Sequence, residues 1–339
     1  MPTASRNTYL DVVKGITISL VVFAHCIQFG AGPEALSSGA HFNHWLFKLI
    51  YTFHMPVFMI VSGYLFYYSV GRYSTYDVVK KRFSRLLLPV IVWQTLFVAS
   101  DFFLEINTYS TWEKVFTSYL STLWFLVSLF INCIVVLFVK PALNRSTAWK
   151  LSPFLLTLFI PYHPTLCLFI FMFPYFLFGY LVNSSKVLER IHLKTTTLYI
   201  ALAALLTVFI FMYIHYRYEH YIYTTGTFII SHHHLSLERI SIVLFRWTIG
   251  FMGTASFLLL VYLTPRRLLE RPFVLLGRYS MGIYICSTYI FLIAQHHSFS
   301  APQDILTLLA ETASVIAVSC ITIWLINRSN TASKLLLGG

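Results

Sequence analysis

Charge is the scarcest property of this sequence. Charged residues make up 11% of the 339 positions, whereas 58% are hydrophobic; soluble domains usually contain about 25% charged residues. The mean hydropathy is +0.72. Lipid solvates so apolar a surface and water does not. The composition therefore excludes a soluble globular domain and predicts a membrane protein.

Paired cysteine motifs are also absent. Cys26, Cys133, Cys167, Cys286 and Cys320 each lie in an apolar run, and no two of them form a C-x-x-C pair. Isolated cysteines of this kind are typical of helix packing rather than of disulfides or metal ligands. We therefore expect no metal site.

Long apolar runs dominate what the sequence does contain. They extend for about twenty residues, the length of a transmembrane helix, and lack the ten-residue alternation of a barrel strand. The sequence predicts an all-α polytopic membrane protein with one integral-membrane domain over residues 1–339. Its ten helices are expected near residues 16–33, 45–68, 86–104, 120–139, 152–164, 167–183, 198–216, 240–263, 279–295 and 305–326.

The fifth and sixth helices share one apolar stretch that Pro161 and Pro164 interrupt. Two prolines so close together favour a tight hairpin between two short spans. A single kinked span is the alternative, and it would invert the orientation of every later helix. The distribution of lysine and arginine decides for the hairpin.

Basic residues concentrate in the cytoplasmic segments of membrane proteins. With ten spans and both termini in the cytoplasm, most of the 24 lysines and arginines fall on that side. Topology therefore explains the net charge of +12, and no basic patch indicates nucleic-acid binding. We expect a multi-pass protein of the plasma or inner membrane.

Three ionisable residues, Asp11, Lys14 and His25, share the first predicted helix. The spacing of Lys14 and His25 corresponds to three turns plus roughly 20° and a rise of about 16 Å, so both lie on one face. Asp11 precedes Lys14 by three residues and can pair with it. Histidine exchanges protons near neutral pH, and an ionisable group at membrane depth indicates function. A histidine that only bonds a neighbouring helix is the alternative.

A basic cluster, Lys81, Arg82 and Arg85, precedes the third span. Arg82 and Arg85 are three residues apart and point the same way on a helix. Paired guanidinium groups suit phosphates, because each offers a planar fork of donors. On this stretch alone, a positive-inside anchor is the simpler explanation.

A third polar stretch lies in the second predicted helix, where His54 and Pro56 are near its outer third. Close helix packing explains Ser62 and Gly63 in the same segment. It does not explain His54, an ionisable residue within an apolar run.

Together these stretches resemble the acyltransferase family three, integral membrane enzymes that O-acylate carbohydrates, and especially its fucose 4-O-acetylase-like branch. The shared patterns are basic-x10-His at Lys14 and His25, F-H-M-P at residues 53–56, and R-x-x-R at Arg82 and Arg85. Weaker similarities surround Trp124 and residues 276–284. Many members carry arginine at the position of Lys14.

The resemblance implies an acyl-CoA donor, most simply acetyl-CoA, from the cytoplasm, and a carbohydrate acceptor that is a polysaccharide or a lipid-linked glycan. His25 would be the general base or carry the acyl group itself, with Lys14 and Asp11 as catalytic partners. The implied donor-binding residues are Arg82, Arg85, Lys81 and Lys14. Those assigned to the acceptor side are His54, Trp124 and Arg246.

Other functions stay open from the sequence. A transporter or flippase for a lipid-linked glycan uses ionisable groups inside the membrane, such as Arg246, although no inverted repeat is evident. A polysaccharide polymerase would elongate glycans without CoA. A metal-binding loop at His232, His233 and His234 is less favoured than a polar loop, because consecutive side chains diverge.

Overall fold

The structure, a computed structural model, describes residues 7–103, 109, 111–143, 152–153, 155, 157, 167–187, 193–222, 230–231, 234–297 and 301–339. Almost all of these residues are helical. The helices are α1 (Thr8–Gly30), α2 (Pro33–Ser37), α3 (Trp45–Arg72), α4 (Thr75–Arg82), α5 (Leu88–Phe103), α6 (Trp112–Ser121), α7 (Trp124–Leu143), α8 (Cys167–Ser184), α9 (Thr195–Ile214), α10 (Leu237–Leu263), α11 (Arg266–Arg278), α12 (Ser280–His296), α13 (Ile305–Ile326) and α14 (Asn330–Leu337).

Short elements complete the described part. One-turn 3-10 helices cover Ala40–Asn43 and Tyr218–His220, and a π-helical turn, Phe83–Leu87, joins α4 to α5. Two-residue strands, Ile230–Ser231 and His234–Leu235, pair antiparallel.

Eight helical segments of the described part are long and apolar enough to cross a membrane, one of them the continuous run Thr75–Phe103 that α4, the π-helical turn and α5 form together; α12 is apolar but shorter. The prediction of an all-α polytopic membrane protein is confirmed. The fifth predicted span, near 152–164, and its two prolines lie largely outside the described residues. The count of ten spans and the cytoplasmic termini therefore stay predictions.

Contacts between residues divide the chain into two compact units. Unit 1 consists of Met1–Phe58, Leu193–His215 and Ile249–Leu325, and unit 2 consists of Met59–His192, Tyr216–Thr248 and Ile326–Gly339. Each unit is assembled from segments far apart in sequence. The single integral-membrane domain stays a prediction.

The core of unit 1 is the packing of α1 on α11 and α12. A Cβ atom on Gly15 would overlap the carbonyl of Phe273, and one on Gly277 would overlap the carbonyl of Asp11. Small residues that allow backbones to approach are the usual basis of helix packing in lipid. The hydroxyl of Tyr9 also donates to the Leu258 carbonyl at 2.7 Å, which ties α1 to α10.

Unit 2 uses the same device between α3 and α8. A Cβ atom on Gly63 would overlap the Phe176 carbonyl, and one on Gly179 would overlap the Ile60 carbonyl. The amide of Asn183 donates to the Tyr64 carbonyl at 2.7 Å. The close packing expected at Gly63 is therefore present.

Replacing Gly15 or Gly277 with alanine should destabilise the protein by about 1–3 kcal/mol, the usual cost of overpacking. Gly71→Ala is the matched control: it lies in α3 with nothing within 4 Å, so alanine there should be neutral or stabilise by about 0.5–1 kcal/mol. The melting temperature of each variant is measured in detergent, where alkylation of the buried cysteines reports unfolding as the thiols become exposed. Equal melting temperatures for the Gly15, Gly277 and Gly71 variants would contradict this account of the packing.

Candidate active site

Helix α1 begins with a capped first turn that positions its ionisable residues. The Asn7 side chain accepts a hydrogen bond from the Leu10 N–H at 3.4 Å, which satisfies a donor with no helical partner. Asp11 lies in this turn, where the helix dipole favours a carboxylate. The Lys14 Nζ atom is 2.9 Å from an Asp11 carboxylate oxygen, so these two residues form an ion pair.

This ion pair is partly shielded from solvent. The Asp11 side chain is 4% exposed and that of Lys14 is 22% exposed. Gly277 of α11 packs directly against the backbone of Asp11. The packing of α1 on α11 therefore holds the carboxylate in place, and the carboxylate in turn orients the ammonium group of Lys14.

His25 lies three turns further along α1. Its ring makes edge contacts with Phe29 and Phe291, at centroid distances of 5.5 and 5.7 Å. The Nδ1 atom is buried and has no hydrogen-bond partner among the described residues. A histidine that only joins helices needs a bond from its ring to a neighbour, and within the described chain Nδ1 makes none.

His54 is buried in α3 and its orientation is fixed by the backbone. Its Nδ1 atom is 2.7 Å from the carbonyl oxygen of Ile50. Because a carbonyl only accepts, Nδ1 carries the proton, and in the neutral ring Nε2 keeps its lone pair. The ring of Tyr51 is 4.9 Å from that of His54. His54 is therefore held with a proton acceptor at Nε2.

The two imidazoles belong to the same unit and are close enough to interact electrostatically. A positive charge on one ring disfavours a positive charge on the other. The pair therefore disfavours the state in which both rings are protonated.

The basic cluster lies in unit 2, and its two arginines differ in environment. The Arg82 Nη2 atom donates to the Ser69 hydroxyl at 2.9 Å, and the guanidinium lies 5.1 Å from the Phe66 ring centroid. Arg85 is exposed and lies within the π-helical turn. That turn departs from the α-helical geometry on which the same-face prediction rests. The Lys81 ammonium stacks on the Tyr73 ring at 3.1 Å.

Helix α14 folds back onto this segment. The Trp93 indole N–H donates to the Leu336 carbonyl at 2.9 Å. Gly338 has φ +75° and packs against the backbone of Arg85, where a Cβ would come within 2.6 Å of the carbonyl oxygen. A side chain at Gly338 would be strained by both its conformation and its surroundings.

Trp124 and Arg246, assigned from the resemblance to the acceptor side, also lie in unit 2. Trp124 is half-buried at the start of α7 and its ring contacts that of Phe125. Arg246 is buried within α10. Its guanidinium donates to the carbonyls of three loop residues, at 2.7 Å for His220 and 3.4 Å for Glu219 and Tyr221.

This environment identifies a structural contribution of Arg246. Backbone carbonyls compensate a buried cation as water would. The loop around Tyr218–His220 is thereby anchored to α10. A ligand that used this guanidinium would have to share it with these carbonyls.

Metal binding finds no support in the part of the chain that is described, where no group of three or more His, Cys, Asp or Glu residues could hold an ion. His232 and His233 lie outside that part. All five cysteines are free thiols, and four of them are buried.

Sequence reasoning missed two features of these sites. The π-helical turn at Phe83–Leu87 has no sequence signature, so Arg82 and Arg85 were placed on an α-helix. Gln28 of α1 and Tyr51 of α3 were passed over as ordinary polar residues. Helical spacing gives a signal for both, because each is three residues from a histidine.

Comparison with known proteins places the chain in context. The nodulation protein NolL of Mesorhizobium japonicum is 34% identical over 158 residues, which cover 44% of this chain and 40% of NolL. NolL of Sinorhizobium fredii is 40% identical over 95 residues, or 27% of this chain and 24% of NolL. The matched region thus spans about two fifths or less of the length of these relatives. No solved structure matches.

The sequence profile of the acyltransferase 3 family, which describes an acyltransferase domain, matches residues 7–328. This range includes the two histidines, His25 and His54, and the basic cluster. The resemblance inferred from short motifs is thereby confirmed at the level of the family. The chain belongs to the acyltransferase 3 family of membrane proteins.

Proposed function

We propose that this protein is an O-acyltransferase of the plasma or inner membrane that moves an acetyl group from cytoplasmic acetyl-CoA to a carbohydrate hydroxyl. The acceptor is a polysaccharide or a lipid-linked glycan. The observation that carries the proposal is the pair of imidazoles, His25 and His54, within membrane-length helices of a chain whose family describes an acyltransferase domain.

The chemistry assigned to His25 is proton transfer at the acceptor hydroxyl. Its imidazole takes the hydroxyl proton while the oxygen attacks the thioester carbonyl. The carbon–sulfur bond then breaks, and the CoA thiolate receives the proton from the imidazolium. His54, held by Ile50 with Nε2 unprotonated, offers a second proton acceptor in the same unit.

Covalent catalysis by His25 is the variant of this mechanism that the sequence left open. The imidazole would attack the thioester, form an acyl-imidazole and release CoA, and the acceptor hydroxyl would then displace the imidazole. Incubation with labelled acetyl-CoA in the absence of acceptor, followed by mass spectrometry of the α1 peptide, separates the two. An acetyl group on His25 indicates the carrier, and its absence indicates the base.

The donor is assigned to Lys14 and the basic cluster. The Asp11 carboxylate fixes the Lys14 ammonium at 2.9 Å, so a cation is oriented at one end of α1 with His25 three turns away. A thioester on a long flexible arm suits such a spacing. Arg82, Arg85 and Lys81 would bind the phosphates of CoA, because guanidinium and ammonium groups form strong bonds with phosphate oxygens.

Replacing His25 with alanine should lower acetyl transfer about 100- to 10,000-fold, the usual contribution of a positioned acid–base group. His54→Asn should also lower it, because asparagine keeps the donor to Ile50 and removes Nε2. The matched control is His215→Asn, since exposed His215 makes the same bond to a carbonyl four residues earlier, Phe211, at 2.8 Å. Transfer of labelled acetyl groups from acetyl-CoA to glycan is measured with protein in lipid nanodiscs. Full activity of His25→Ala would end the proposal.

Replacing Arg85 with methionine should raise the KM for acetyl-CoA roughly 10- to 150-fold if the guanidinium bonds a phosphate, which is the value of a hydrogen bond to a charged group. Acetyl-dephospho-CoA, which lacks the 3′-phosphate, reports whether the contact is to that group. Arg72→Met, an exposed residue of the same unit, removes equal charge and should change KM little. An equal effect of both variants would indicate general electrostatics rather than a phosphate site.

A further inference from the structure

Two uncharged polar residues lie one helical turn beyond the histidine pair, towards the Gly30 end of α1. The Tyr51 hydroxyl donates to the side-chain oxygen of Gln28 at 3.0 Å. Gln28 follows His25 by three residues in α1, and Tyr51 precedes His54 by three in α3. Residues three apart share a helix face. The His25–Gln28 pair of α1 and the Tyr51–His54 pair of α3 therefore meet within unit 1.

The side chain of Gln28 has a hydrogen-bond donor that no described residue uses. Its amide oxygen accepts from Tyr51, whereas its Nε2 atom donates to no described residue. The side chain is half-buried, and Nε2 is not among the fully buried polar atoms that lack a partner. Part of the Nε2 atom is therefore exposed on the surface of the described chain. An amide in an apolar helix is costly unless its N–H groups are bonded.

The orientation of Tyr51 is supported by rings on both sides. Phe47 stacks on it at a centroid distance of 3.9 Å and an interplanar angle of 27°, and His54 lies 4.9 Å away on the next turn. Phe47 is fully buried. The phenol is thereby held by packing, and it in turn holds the amide of Gln28 with its nitrogen available.

We propose that Gln28 and Tyr51 form a subsite for a second hydroxyl of the acceptor, adjacent to the one that is acylated. The proposal rests on the proposed function and names its substrate class: a sugar with hydroxyls on neighbouring ring carbons. The Gln28 Nε2 atom donates to the neighbouring hydroxyl oxygen while His25 engages the reacting hydroxyl. A rise of about 4.5 Å separates the two residues along α1, a distance that their side chains bridge.

The position of this subsite separates it from the donor. The Asp11–Lys14 ion pair lies three turns from His25 in the opposite direction along α1. A carbohydrate hydroxyl both donates and accepts, as does the Gln28–Tyr51 pair. The pair is a positioning and specificity element, and it takes no part in proton transfer.

The test is acetyl transfer to methyl glycosides of glucose, galactose, mannose and fucose, and to monodeoxy analogues of the best acceptor. The wild-type enzyme should have a higher kcat/KM for the full glycoside than for the analogue that lacks the hydroxyl next to the acylated one. Gln28→Leu should lower kcat/KM for the full glycoside by roughly 2- to 12-fold, the value of a neutral hydrogen bond, and leave that for the deoxy analogue unchanged. Tyr51→Phe, which keeps the ring and releases the amide, should weaken the preference in part.

Matched controls remove the same groups elsewhere in unit 1. Gln303→Leu deletes an amide that bonds the Ala301 carbonyl, and Tyr213→Phe deletes a hydroxyl that bonds the Trp45 carbonyl. Both should keep the wild-type preference. The subsite alone is overturned if Gln28→Leu lowers kcat/KM equally for the full glycoside and the deoxy analogue. It is also overturned if the wild-type enzyme has no preference between them. Absence of wild-type transfer to every glycoside and also to polymeric and lipid-linked glycan contradicts the proposed function itself, whereas transfer to glycan but to no glycoside overturns the subsite alone.

Discussion

The structure depends on one constraint: polar groups inside lipid must find their partners within the protein. Arg246 meets it with three loop carbonyls, Asn183 with the Tyr64 carbonyl, and Tyr9 with the Leu258 carbonyl. These residues hold helices and loops together. Several other buried polar atoms have no hydrogen-bond partner among the described residues, and the Nδ1 atom of His25 is one of them.

The contacts of Arg246 and His25 differ accordingly. Sequence alone gives Arg246 and His25 similar weight, since each is an ionisable residue within an apolar run. The contacts of Arg246 account for its burial without a ligand, as expected of an anchor. Those of His25 are the aromatic rings of Phe29 and Phe291, and its role in catalysis stays a proposal.

Much of the fold could be predicted from the sequence because lipid imposes a simple rule on length and polarity. Runs of about twenty apolar residues are predicted to be transmembrane helices. Helical geometry alone also predicts that Asp11, Lys14 and His25 share a face of the first helix. No helix is predicted between the spans near 240–263 and 279–295, whereas the structure has α11 there, and it packs on α1. Its packing depends on Gly15 against the backbone of Phe273 and on Gly277 against the backbone of Asp11, which are contacts between residues distant in sequence. The partnership of Gln28 with Tyr51 likewise requires knowing which helices are neighbours.

The length of the helices that carry the sites has a consequence for the surrounding lipid. Helix α3 has 28 residues and α10 has 27, or about 42 and 40 Å at 1.5 Å per residue, whereas the hydrocarbon core is about 30 Å thick. Both must tilt or extend into the headgroup layer. The depth of His54 therefore varies with bilayer thickness, so the acyl-chain length of the host lipids becomes a physical variable of the reaction.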